Sequence, residues 1–327
     1  TMKKYILLLL SLLIFLSACT FNFKPSNNSQ PVVGFSQSGT ESTWRKRHTD
    51  SITTELEKGY QVLYRNGYMS QERQIRDLRS FIAYKVDLIV LAPLRETGWD
   101  EVLSEAKEAN IPVIIVDRHI DTADDSLYLS HIGPSFKAEG QKSGIFTINY
   151  FKDIKDEEIQ ILEMAGLKDS STTELRTEGF HETIARDRRM VITDTLYGDF
   201  VRMKSKEVFE DYFNKHPLEE IDAIYSHSDE MTHGILEYLK QTNQVPGVDI
   251  MIVTIDGQED MIKELKRGHV NAVVECNPNA GWYVKNALDR YFSGKTLSKD
   301  IYMPEIIFYS SNFDKIQTTF PRETIKE

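Results

Sequence analysis

The 327 residues carry 50 Asp and Glu against 39 Lys and Arg, a formal net charge of -11. That balance argues against a general nucleic-acid or anionic-lipid surface and leaves small neutral or cationic ligands open. Two cysteines, Cys19 and Cys276, rule out a dense disulfide framework.

The chain opens with Lys3 and Lys4, an apolar run from Ile6 to Leu16, and then Ser17-Ala18-Cys19, which together read as an export signal. The run falls short of the roughly 20 apolar residues a membrane-spanning helix needs. Leu16-Ser17-Ala18-Cys19 looks like a bacterial lipobox, so residues 1–19 are expected to be removed up to a lipidated Cys19 that anchors the protein outside the cytoplasm. The alternative is an ordinary secretory signal beside a cysteine. Residues 20–30 are polar, Asn- and Ser-rich and without apolar period, as a flexible tether is. Folded structure is expected from Pro31, and the remaining length, about 300 residues, suits two domains. With Cys19 committed to lipid, Cys276 has no partner and reads as a small buried hydrophobe.

From Pro31 onward short β-branched runs alternate with amphipathic stretches. Strands are expected at 32–36, 61–64, 88–92, 113–117, 127–132, 159–164, 191–196, 223–226, 250–255 and 270–276, with helices between them. Short, continuously apolar strands separated by helices imply parallel sheets covered on both faces, so the fold is α/β. The pattern breaks after Asp117-Arg118, and the strand ending at Ile132 is expected to lead into a second lobe.

Ligands of open parallel sheets sit beyond the carboxyl ends of the strands, so the loops there are the place to look. They carry Trp44 and Arg45 after the first strand, Trp99 after the third, Asp117-Arg118 after the fourth, and then the segment Ser170 to Arg176, Ser228-Asp229, Asp256 and Glu275. Carboxylates and guanidinium forks suit sugar hydroxyls, each of which both donates and accepts. Each has a plainer reading: Trp44 and Trp99 as core residues, Asp117-Arg118 as an ion pair, Asp229 or Asp256 as a helix N-cap.

Signatures of catalysis are missing. No GxGxxG follows a strand, and neither a phosphate loop, GxSxG nor HExxH occurs. His227-Ser228-Asp229 holds triad residue types, but adjacent residues do not converge as nucleophile, base and orienter. The eight histidines show no metal-ligand spacing. No enzyme activity, cofactor or metal is expected.

These stretches resemble the type I periplasmic sugar-binding proteins of the ribose/galactose class, and within them the galactofuranose-binding branch. The resemblance rests on the block from Val33 to Arg45, on Gln74 to Ile82 with Ala92-Pro93 and Thr97-Gly-Trp99, and on Ile111 to Ile120. It extends over Arg176 to Phe180, His227 to Glu230, Ile255-Asp-Gly257 and Glu275 to Asn279. It implies two Rossmann-like, doubly wound parallel-sheet lobes joined by a three-strand hinge. The first lobe would take residues 31–134 and 277–300, the second 135–276 and 301–327.

By the same resemblance Trp44 is a stacking platform, Asp117 and Arg118 bracket ring hydroxyls, and Arg176 and Asp256 clamp from the second lobe and hinge. Ser36, Glu41, Arg45, Ser228, Asp229 and, at the hinge, Glu275 complete the expected binding set. Ser228 departs from an Asn often found in the family, and the loop Lys168 to Thr173 also differs, which points to a changed hydroxyl pattern.

The implied function is capture of one monosaccharide, a furanose such as galactofuranose or fructose favoured, by a monomer that delivers it to an ABC permease. A second reading docks the same closed shape on a membrane histidine kinase as a sugar sensor. An extracellular sugar-processing enzyme is the weakest reading. A transcription regulator is opposed by the export signal and the lack of a leading DNA-binding helix pair.

Overall fold

The apolar runs become strands because they are too short for helices, rich in Val and Ile, and buried on both faces. The computed structural model describes residues 30–155 and 157–309. The expected signal, Cys19 and most of the tether lie outside the described residues.

The first sheet is built from β1 (Val32–Gln37), β2 (Gln61–Asn66), β3 (Leu88–Leu91), β4 (Val113–Val116) and β5 (Ser130–Gly133). The chain then enters a second sheet of β6 (Ile159–Ala165), β7 (Met190–Tyr197), β8 (Ala223–Ser226), β9 (Met251–Asp256) and β10 (Ala272–Glu275). It returns for β11 (Asp300–Tyr302) and crosses again for β12 (Ile307–Tyr309). The sheet orders are β11-β5-β4-β3-β1-β2 and β12-β10-β9-β8-β6-β7. All pairings are parallel except β10 with β12.

Each lobe is therefore doubly wound, with strand order reversing beside β1 in one sheet and β6 in the other. Such reversals open the crevices in which α/β proteins bind ligands. Three chain crossings join the sheets: β5 to β6, β10 to β11 and β11 to β12. The strand β11 runs through the expected boundary at 300/301, so Ile301 and Tyr302 pair within the first sheet. The expected strand from Leu127 is displaced: Asp125–Leu127 is a 3-10 turn and pairing begins at Ser130.

Nine helices cover the sheets among the described residues. They are α1 (Thr43–Leu56), α2 (Gln71–Tyr84), α3 (Asp100–Glu108), α4 (Phe136–Tyr150), α5 (Ser171–Ile184), α6 (Arg202–Phe213), α7 (Asp229–Leu239), α8 (Glu259–Lys266) and α9 (Gly281–Phe292). The helix α9 follows β10 but packs on α1, where Gly281 N donates to Ser51 Oγ at 3.0 Å, which returns the chain to the first lobe.

Serines start the helices that face the cleft. Ser42, Ser170 and Ser228 are the N-caps of α1, α5 and α7, accepting from the backbone N–H of Arg45, Thr173 and Met231. Such a cap contributes about 1 kcal/mol and sets where the first turn points. The strands β3 and β4 are buried at every residue, and burying each such aliphatic side chain stabilises the fold by roughly 1.5–3 kcal/mol. No helix of the described residues is long and apolar enough to cross a membrane.

Candidate ligand-binding site

A cavity lies between the carboxyl ends of the two sheets, where open α/β sheets bind their ligands. Glu41, Trp44, Arg45, Asp117 and Arg118 line it from the first lobe, and Arg176, Ser228 and Asp256 from the second, joined by Cys276 at a crossing.

Charge organises the first-lobe wall. Arg45 Nη1 donates to Asp117 Oδ2 at 2.5 Å and its Nε to Glu41 Oε1 at 3.1 Å, with both acids nearly buried. Burial opposes ionisation of Asp117, but Arg45, His48 and Arg118 outweigh it and draw its pKa down to about 2. Glu41 is likewise lowered, burial being overcome by Arg45 and Arg118. Arg118 donates Nη1 to Leu94 O at 3.0 Å, and its Nη2 stands 4.0 Å from Glu41. Burial, then the neighbouring Arg45, lowers its pKa to about 10, which still leaves it charged at neutral pH.

The second-lobe wall turns on Arg176. It donates Nε to Glu139 Oε2 at 2.7 Å and Nη1 to His227 O at 2.5 Å, while Nη2 lies 3.9 Å from Asp256 Oδ1. Asp256 has φ 134°, a strained conformation for a residue with a side chain. Behind it Asp229 is fully buried and accepts from Gly257 N at 2.9 Å, Gln258 N at 2.8 Å and Thr254 Oγ1 at 3.0 Å. Asp229 N in turn donates to Asp256 Oδ2 at 3.2 Å. Burial raises the pKa of both carboxyls, Asp256 to about 8, and their mutual repulsion raises Asp229 further.

Three expected site residues stand outside the lining. Ser36 is buried in β1 with its Oγ accepting from Gln74 Nε2 at 3.4 Å, because its place in the pleat turns it toward α2. Asp229 braces the turn that carries Asp256. Glu275 is buried at the end of β10, where Oε2 accepts from Ile306 N at 3.0 Å, so it ties two hinge crossings together.

Trp44 lines the cavity but is not an open platform. It is 6% exposed, its indole stacks on His48 at 5.1 Å, and Nε1 donates to Cys276 O at 2.6 Å, joining α1 to the crossing after β10. Trp99 is core, fully buried with Nε1 bonded to Arg95 O at 2.8 Å.

Sequence reasoning missed Phe136 and Phe200, the aromatic rings of the second lobe that line the cavity. Arg176 Cζ lies 5.3 Å from the Phe136 ring and Arg118 Cζ 5.6 Å from the Phe200 ring. Phe200 has φ 62°, and a Cβ on Gly166 would stand 1.9 Å from its ring, so the glycine makes the space the ring occupies. Ser42, Thr172, Glu230 and Cys276 complete the missed lining. Thr172 and Glu230 sit in first turns after serine caps, a signal that was available. Phe136 and Phe200 carry none. As expected, Cys276 is buried, and its thiol is pushed well up by that burial.

Within this wall Glu41 Oε2, Arg118 Nε and Thr172 Oγ1 are buried without a hydrogen-bond partner among the described residues. Polar atoms buried in this state cost about 1–3 kcal/mol each unless something completes them. The arrangement is suited to a small, uncharged, hydroxyl-rich molecule lying across aromatic rings.

A sequence profile of the periplasmic binding protein domain matches residues 33–296. The chain belongs to the periplasmic binding protein family. It is 36% identical over 279 residues to the galactofuranose-binding protein YtfQ of Escherichia coli, covering 85% of this chain and 87% of that one. A crystal structure of a galactofuranose binding protein superposes with a TM-score of 0.83 at 34% identity, over 87% of this chain and 96% of the other. The periplasmic binding protein component of the arabinose ABC transporter of a Shewanella species, bound to α- and β-L-arabinofuranose, gives a TM-score of 0.81 at 37% identity, over 87% and 93%. The two parallel-sheet lobes are those of the type I periplasmic binding proteins, and the resemblance to the galactofuranose-binding branch read from the sequence holds.

Proposed function

We propose that this chain is an extracytoplasmic receptor that captures one monosaccharide in furanose form between its lobes and delivers it to an ABC permease, without chemical change to the sugar. The observation that carries the reading is the interlobe cavity, where Arg118, Glu41 and Thr172 present buried atoms that no described residue completes. Sugar hydroxyls complete such atoms by donating to Glu41 and accepting from Arg118. The five-membered ring is supported by the similar proteins, whose names specify galactofuranose and arabinofuranose.

Arg45, Asp117, Arg176, Asp256 and Ser228 supply the remaining polar contacts in this reading, with Trp44, Phe136 and Phe200 forming the apolar surfaces. Ser36, Asp229 and Glu275 act as positioning residues. The lipobox supports a diacylglyceryl anchor on Cys19.

The test is thermal unfolding of the purified chain with D-galactose, L-arabinose, D-fructose, D-ribose and D-glucose, each also as methyl furanoside and methyl pyranoside to hold the ring form. A ligand at about a hundredfold its Kd stabilises the native state by about 2.7 kcal/mol, so a bound furanoside should raise Tm by several degrees. A flat response to every sugar would overturn the reading, and a response to pyranosides alone would overturn the ring assignment. Cys19→Ala should move the protein out of the membrane fraction; retention there would refute the anchor.

A further inference from the structure

At the edge where the first sheet meets the hinge, His119 from the loop after β4, His131 in β5 and Asp300 in β11 converge, their ligating atoms all within 4.8 Å of one another. Asp300 and His131 are register partners across β11 and β5, so backbone pairing places their side chains together. The imidazoles of His119 and His131 stack with ring centroids 3.5 Å apart.

The tautomer of His131 follows from its neighbours. Its Nε2 lies 2.8 Å from the carbonyl oxygen of Asp117, which can only accept, so Nε2 carries the proton and donates. The lone pair is left on Nδ1, which is buried, has no hydrogen-bond partner among the described residues, and faces Asp300 Oδ1 at 3.6 Å. A lone pair aimed at a carboxylate oxygen gains nothing unless a cation lies between them. An N–H donated to a backbone carbonyl while the other nitrogen stays free is the usual outer support of a metal-bound histidine.

We propose that His119, His131 and Asp300 form a site for one divalent transition-metal ion, of which Zn²⁺ is the type that fits. Two imidazoles and one carboxylate, with water as a fourth ligand, make a donor set this ion accepts. Tetrahedral bonds of about 2.0–2.2 Å separate ligand atoms by roughly 3.3–3.6 Å, the spacing His131 and Asp300 already have. The widest pair must close by at most about 1.5 Å from that geometry, which requires the His119 ring to turn out of its stack on His131. Asp300 is partly exposed, so solvent has access to the site, and hard cations such as Mg²⁺ have too few oxygen donors here.

The site lies behind the sugar cavity, because the carbonyl held by His131 is that of Asp117. His119 N also donates to Ser171 Oγ of the second lobe at 2.6 Å, so the metal ligands belong to the region where the lobes meet.

The experiment is isothermal titration of the purified full chain with Zn²⁺, with Mg²⁺ as the control ion, on wild type, Asp300→Asn and His119→Asn. Co²⁺ absorption reports the coordination geometry. Expected are one Zn²⁺ per chain, no Mg²⁺ binding, visible bands of four-coordinate Co²⁺, and at least a tenfold weaker Zn²⁺ affinity in each variant. Asp300→Asn removes a charge at a solvent-accessible position, so its unfolding transition without metal should match wild type and separate lost binding from lost folding. Absence of Zn²⁺ binding to wild type, or equal affinity in both folded variants, would overturn the proposal.

Discussion

Arg118 is the residue on which the proposed binding chemistry leans most, since it is buried with one backbone acceptor, a carboxylate 4.0 Å away and an uncompleted Nε. Arg118→Ala should weaken sugar binding by about 1–3 kcal/mol, roughly 5- to 150-fold, measured by calorimetry on a variant with a wild-type unfolding transition. Unchanged affinity would remove it from the site. Arg176→Ala asks a different question, because it leaves Glu139 buried without its cationic partner and should cost about 3–5 kcal/mol of stability. The carboxyls make opposite predictions with pH. Asp117 has a folded pKa near 2, below its unfolded value, so its stabilising contribution is present above about pH 4 and lost as pH falls toward 2. Asp256 and Asp229 are raised, so the folded pair holds protons that the unfolded chain has released, and stability contributed by the pair falls as pH rises from about 4 to about 8. One extra bound proton corresponds to about 1.4 kcal/mol per pH unit. Unfolding in denaturant between pH 5 and 8 without sugar should therefore show a shallower loss in Asp256→Asn than in wild type, and parallel curves would refute the assignment.

At the scale of elements, the cleft is built by serine-capped helices starting where strands end, and by two helices in unusually close contact. A Cβ on Gly140 of α4 would stand 2.3 Å from the carbonyl oxygen of Arg176 in α5, and one on Gly179 of α5 would stand 2.1 Å from that of Lys137. The helix carrying Arg176 is thus seated directly on α4, which also carries its partner Glu139. Gly140→Ala must push the helices apart, at about 1–3 kcal/mol by analogy with overpacked cores. We expect a lower Tm and a weaker sugar affinity in the same variant, read by calorimetry of unfolding and of binding. Loss of Tm with sugar affinity intact would mean that the position of Arg176 does not depend on this contact.

For the whole molecule, contacts across the cleft fasten the lobes to each other. Glu96 N donates to Asp169 O at 3.0 Å, Arg95 Nη1 to Lys168 O at 3.1 Å, and Thr43 pairs with Gln258. These bonds join segments on opposite sides of the three crossings, so they favour the closed arrangement and count against any open one. A sugar shifts such an equilibrium only by its preference for the closed form. Thr43→Val, outside the cavity lining, removes one such bond worth about 0.5–1.5 kcal/mol, which should weaken apparent affinity by roughly 2- to 13-fold through the closed population alone. Small-angle scattering should show wild type contracting on addition of sugar; an unchanged radius of gyration would refute closure on binding.

The amino-acid sequence by itself determined the α/β class and nearly every strand, because runs such as Leu88–Leu91 and Val113–Val116 are apolar at every position and too short to be helices. It also placed the site at strand ends, and Glu41, Trp44, Arg45, Asp117, Arg118, Arg176, Ser228 and Asp256 do line one cavity. Side-chain direction was not legible. Ser36, Asp229 and Glu275 sit at the expected ends, yet they turn to Gln74, to the backbone after β9 and to the hinge, since the pleat and the packing of each turn set direction locally. Trp44 looked like a free platform because an indole beside a polar loop carries no sign of the carbonyl, distant in sequence, that captures its N–H. Only the tertiary structure decided which segments complete the site. Phe200 approaches the first-lobe Arg118 because the chain crosses between sheets, and His119, His131 and Asp300 meet because β11 returns to pair with β5. Local patterning records how each segment buries its own apolar side chains, whereas these meetings depend on crossings that join residues far apart in the chain.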